Sequence, residues 1–198
     1  IDFEKEIKVE EILGRNISFV ENKYSEIAQI NLLFPIGKDH HPHLEIAFTL
    51  MDYLGTDALS AEDIKAEFYK LGITHSFQVT NEHTSWMLSG LEENIAQGLE
   101  FLFHYIQNLA EDQDVYEEVI ATILEARAYN KKDKGKIMSA LSNYTKFGKN
   151  SRLRDVLSEK EMRELSSKNL IKIIQNLLLQ TFEVFFYGKN YDAFLPVI

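Results

Sequence analysis

The chain contains no cysteine. Disulfide frameworks, thiolate metal sites and cysteine nucleophiles are therefore excluded, while the compartment stays open. A basic balance is lacking too. Lys and Arg number 21 against 31 Asp and Glu, for a net charge of -10. Phosphate binding needs a basic patch, so nucleic acid is excluded as an expected partner. The densest basic stretch, Lys131-Lys132-Asp133-Lys134-Gly135-Lys136, is short and carries no interleaved aromatics. It reads as a solvated helix end or loop. No apolar run is long enough to span a bilayer. The first residues, Ile1-Asp2-Phe3-Glu4-Lys5, show no basic region followed by an apolar one, so no signal peptide is visible in this piece. They also lack an initiator Met, and the expectation is a mature product or a piece of something longer.

Several chemistry-bearing motifs are missing as well. There is no G-x-x-x-x-G-K-[ST] phosphate loop and no G-x-G-x-x-G turn. Leu88-Ser89-Gly90-Leu91 lacks the first glycine of a nucleophile elbow and lies at a strand end.

What is present is a full core. The 198 residues are 45% hydrophobic and 12% aromatic, enough for one large domain. Loose alternation from Glu6 to Leu13 through Ile7 and Val9, a turn at Gly14-Arg15-Asn16 and a second run from Asn16 to Glu21 predict a β-hairpin. Ile27 to Ile36 predicts a third strand. Leu44 to Leu54 is apolar nearly all round, with Ile46, Leu50, Tyr53 and Leu54 on one face, and predicts a short buried helix stopped by a left-handed Gly55. Ser60 with Asp63 marks a capped helix start, and Gly72 its stop. Thr74 to Thr80 and Thr84 to Leu91 predict a second hairpin. Helical spacing then dominates from Glu92 onward, and Thr181 to Tyr187 is a last strand. Strands in hairpins and helices in runs argue an α+β fold. The expected architecture is an antiparallel sheet of about five to six strands with helices on one face. No linker or repeat interrupts residues 1–198, which are expected to form a single domain.

Few polar clusters suggest chemistry. His40, His41 and His43 precede the buried helix beside Glu45. Histidines and carboxylates ligate metals, but rigid sites fix their ligands on helical faces or separate elements. The cluster reads first as a solvated turn, with Glu45 complementing the helix N-terminus. His75 and His83 flank the second hairpin and read as surface or half-buried strand positions. Glu117, Glu118, Glu125 and Arg127 lie on one long helix and read as solvated charges rather than a glycosidase-type pair.

A set of weak motifs, taken in order, is more specific than any one of them. Tyr53-Leu54-Gly55-Thr56 is followed by Leu59-Ser60-Ala61-Glu62-Asp63-Ile64, by Glu67-Phe68-Tyr69-Lys70-Leu71-Gly72, and by Leu88-Ser89-Gly90-Leu91-Glu92-Glu93-Asn94. Asn143-Tyr144, Phe147-Gly148, Val156-Leu157-Ser158 and Tyr187-Gly188 come later. In this order the chain resembles the pitrilysin/insulinase family of zinc peptidases, with its mitochondrial processing peptidase-like fold. The resemblance implies an antiparallel sheet faced by helices. In active members the helix before Gly-Thr carries an inverted zinc motif, H-x-x-E-H, and a further glutamate lies on a later helix.

Counted back from Gly55-Thr56, those positions hold Ile46, Thr49 and Leu50 here. Neither aliphatic side chain has a lone pair, and a threonine is no general base near neutral pH. The later glutamate falls near Thr122 or Ile123, with Glu118 and Glu125 close in sequence. The resemblance thus implies a domain with no catalytic, cofactor-binding or metal-ligating residue of its own. It implies an inactive structural and substrate-enclosing domain of a clamshell metallopeptidase, with zinc in a partner domain. The expected partners are a homologous catalytic domain, in cis or in trans, and an enclosed peptide. Two alternatives stand beside it. One is a stand-alone non-catalytic subunit or assembly module. The other is a metal-binding module built on His40, His41 and His43.

Overall fold

The computed structural model describes residues 7–12, 14–151 and 155–198. Glu6 and Leu13, at the ends of the first predicted run, lie outside the described residues, as does the stretch from Ile1 to Lys5. Three strands come first: β1 (Lys8–Ile12), β2 (Arg15–Glu21) and β3 (Ile27–Phe34). Then come α1 (Leu44–Met51), α2 (Ala61–Lys70) and the hairpin of β4 (Ile73–Val79) and β5 (Thr84–Leu91). The helical block is α3 (Glu92–Gln107), α4 (Gln113–Asn130), α5 (Lys134–Phe147), α6 (Glu159–Glu164) and α7 (Ser167–Leu178), before β6 (Glu183–Gly188). Two compact units result, Ile1–Glu111 with Leu170–Ile198, and Asp112–Asn169.

The first unit holds a six-stranded sheet in the order β1-β2-β6-β3-β5-β4. Neighbours are antiparallel except β2 and β6, which run parallel. β6 reaches the sheet after a long helical excursion, which permits a parallel neighbour where a tight turn would not. The fold is therefore α+β with a mostly antiparallel sheet. Alternate residues on each strand face the core: Ile17 and Phe19, Ile30 and Leu32, Trp86 and Leu88, Val184 and Phe186 are all buried. α3 covers β3 and β5 on that face with Ile95, Leu99, Leu102 and Ile106. From α1, Phe48 stacks on Phe77 at 4.8 Å and meets Trp86 edge-on at 5.4 Å. Each such side chain contributes about 1.5–3 kcal/mol by leaving water.

In the second unit, caps define the helices. Asp112 accepts from Val115 N at 2.9 Å to start α4, and Asp133 from Lys136 N at 2.8 Å to start α5. Ser158 and Glu161 form a capping box on α6. The buried Tyr116 hydroxyl donates to the Met162 carbonyl at 2.8 Å, which ties α4 to α6. α5 buries none of its residues.

Three expectations need correction. The first hairpin turns earlier than predicted, because Arg15 already pairs with Ile12 and Gly14, at φ 75°, takes a left-handed backbone. Helix α1 ends at Met51, and Gly55 has no left-handed backbone. The glycine is needed instead because a Cβ there would lie 2.2 Å from the Leu59 carbonyl oxygen. Tyr53, predicted on the buried face, falls in the turn after α1 and is exposed. The predicted stop at Gly72 does take the left-handed backbone, at φ 63°.

Candidate functional site

The positions singled out by sequence lie on α1. Its eight residues are apolar except Glu45 and Thr49, and Leu44, Ile46, Ala47, Phe48, Leu50 and Met51 are all buried. Ile46 and Leu50, one turn apart, are 5% and 1% exposed and belong to the core. The Thr49 hydroxyl donates back to the Glu45 carbonyl at 2.8 Å, a bond internal to the helix. A zinc ion needs nitrogen, oxygen or sulfur donors converging at about 2 Å. Ile46 and Leu50 offer none, so this face of α1 does not fit zinc.

The end of α1 is fixed by a residue that sequence reasoning missed. The buried Tyr105 hydroxyl, from α3, donates towards the Met51 and Leu54 carbonyls at 2.5 Å and 2.9 Å. Burial, followed by the nearby Asp52 carboxylate, pushes this phenol well above its usual range. The hydroxyl therefore stays a neutral donor. Its signal was in the spacing, since Tyr105 continues Leu99 and Leu102 along the buried stripe, whereas Phe103 lies partly outside it. Asp52, just past α1, is raised by burial, with Lys65 pulling it back down. Lys65 also sits over the Tyr53 ring, at 5.9 Å.

The histidines disperse. His40 accepts from Gly37 N through Nδ1 at 3.2 Å, closing the loop before α1. His41 and His43 lie edge to face at 5.5 Å, and burial, then His43, holds His41 below the usual imidazole range. Glu45 pairs with Lys38 at 3.3 Å. His75 packs against Phe68 at 4.4 Å, and His83 stands at the turn between β4 and β5. Among the described residues, no group of three or more His, Cys, Asp or Glu side chains could hold a metal ion.

In the second unit, Glu117 pairs with Arg163 at 3.0 Å, and Arg127 donates to the Leu157 carbonyl at 2.6 Å. The Thr122 hydroxyl bonds the Glu118 carbonyl at 3.0 Å. Glu125 lines a depression of about 320 Å³ with Thr122, Ala126, Tyr129 and Asn130, all on α4. None of these carboxylates meets a histidine within that unit's described contacts.

Solved structures share this arrangement. The periplasmic protease PqqL from Escherichia coli superposes with a TM-score of 0.71 at 13% identity, over 93% of this chain and 21% of that one. A peptidase M16 inactive domain from Pseudomonas fluorescens gives 0.73 at 14% identity, over 94% and 47%. The ferredoxin protease FusC, solved with Arabidopsis ferredoxin, gives 0.76 at 12% identity, over 99% and 22%. The fold is that of a peptidase M16 domain. This is the pitrilysin-like fold that the ordered motifs imply. No family model and no curated protein matches the chain. The chain spans about a fifth to a half of the M16 chains above. Among the described residues, no helix is long and apolar enough to cross a membrane.

Proposed function

We propose that residues 1–198 form one non-catalytic domain of a pitrilysin-like zinc peptidase, which helps to enclose a peptide while a homologous partner domain carries the zinc. The observation that carries this proposal is the core position of Ile46 and Leu50, with Thr49 bonded within its own helix. Those three stand where active relatives place two ligands and a base. Burying histidines there without metal would leave ring nitrogens unpaired, at a cost that apolar side chains avoid. A solved M16 domain named as inactive, and covered by this chain over nearly half its length, supports the same role. The fraction of each neighbour that is matched also fits a domain within a longer peptidase.

Calorimetric titration with zinc tests the metal half of the proposal. No stoichiometric site is expected. A one-to-one site that persists after His40, His41 and His43 are replaced with Ala would overturn it. The full reading frame tests the setting. An upstream H-x-x-E-H domain places the partner in cis, whereas an active partner encoded separately makes this chain a stand-alone subunit.

A further inference from the structure

Two exposed surfaces in this chain are complementary. The first is α5. It is 14 residues long, and none is buried. A helix of that length is marginal in water and draws its stability from a packed face. Ile137, Leu141 and Tyr144 recur at helical spacing, with Phe147 beside them, and are between 47% and 57% exposed. From Lys131 to Lys149 the chain carries six lysines against one aspartate. α5 is thus an amphipathic helix with a cationic border, in a chain whose net charge is -10.

The second surface is the sheet face turned away from the core. The register places Val9, Ser18, Phe185, Asn31, Met87 and Ser76 in one row across it. Val20 and Tyr187 stand in the next row. A solvated sheet face normally alternates polar-out. Here Phe185, Tyr187, Ile27 and Val9 are 40% to 65% exposed. The charged side chains on the described strands of this face are Glu11 and Glu183, with no Lys or Arg. In its middle, between Phe185 and Met87, the Asn31 Oδ1 is buried and has no hydrogen-bond partner.

We propose that α5 of one copy of this chain docks on the open sheet face of a second copy. Helix on sheet is a standard layer pairing, and here the helix is cationic and the sheet face anionic. The apolar stripe of α5 would cover Phe185, Tyr187 and Met87, while its lysines face Glu11 and Glu183. This goes beyond the peptidase assignment and does not rest on it.

Sedimentation equilibrium, backed by crosslinking, tests the proposal. The intact chain should show a mass above the monomer that rises with concentration. Leu141→Glu and Phe185→Glu should each weaken that association about tenfold or more. Both residues are exposed, so circular dichroism should stay unchanged. Because the chain has no cysteine, single cysteines report contacts cleanly. A Leu141→Cys chain mixed with a Met87→Cys chain should form a mixed disulfide. A monomer at all concentrations overturns the proposal, including one that instead binds anionic vesicles through α5. So does association that survives both substitutions, or a disulfide that forms only between two Leu141→Cys chains.

Discussion

Tyr105→Phe deletes one hydroxyl and leaves the ring in place. It removes the Leu54 carbonyl's donor in the core, while the Met51 carbonyl keeps the Leu54 N–H at 3.1 Å, at a cost of about 1–3 kcal/mol. Denaturant unfolding should show the midpoint falling with an unchanged slope. Gly55→Ala should cost more than an ordinary surface change, because its Cβ would press on the Leu59 carbonyl. A neutral result for Gly55→Ala would mean that the loop gives way at that contact. His75 sets a pH dependence. Burial, then Lys65, depresses its folded value below the usual imidazole value of about 6.5. The unfolded chain therefore binds the proton first. The contribution of neutral His75 is fully present above about pH 6.5 and is lost as pH falls from there towards the depressed folded value. Stability measured between pH 8 and about 5 should decline in that window, and His75→Phe should flatten the decline.

At the scale of elements, the capping box on α2 is the most direct test of local coding. Ser60 accepts from Asp63 N at 3.1 Å, and Asp63 accepts from Ser60 N at 3.1 Å. Ser60→Ala should lower stability by about 1 kcal/mol, read in the same unfolding experiment. This box was legible from residue types alone, because Ser-x-x-Asp ahead of an apolar stripe has few other uses. So were the strand-helix order and the second hairpin, whose burial alternates as period two requires. The direction of β6 was not legible. Its alternation, with Val184 and Phe186 inward, is the same beside a parallel or an antiparallel neighbour. The role of Gly55 is not legible in sequence for a related reason. A glycine signals backbone freedom or close approach, and sequence does not say which. On α1, burial at Ile46 and Leu50 was legible from the all-round apolar pattern. The lock supplied by Tyr105 was not, because Met51 and Tyr105 meet only through the tertiary fold.

At the scale of the molecule, two compact units of one chain carry the fold of an M16 domain. Charge is distributed unevenly between them. The lysines of α5 lie in a chain that is acidic as a whole, and the aromatic side chains left on the sheet lie on a face without cations. Both features fit a domain made to be covered by other polypeptide. On the function proposed above, this domain shapes a peptidase without performing its chemistry. Hydrolysis of an unfolded reporter peptide by the purified chain, with zinc supplied, tests it most directly. The rate should equal that of buffer alone, with and without a chelator. Hydrolysis that follows the chain through purification, stops on chelation and returns with zinc would contradict it.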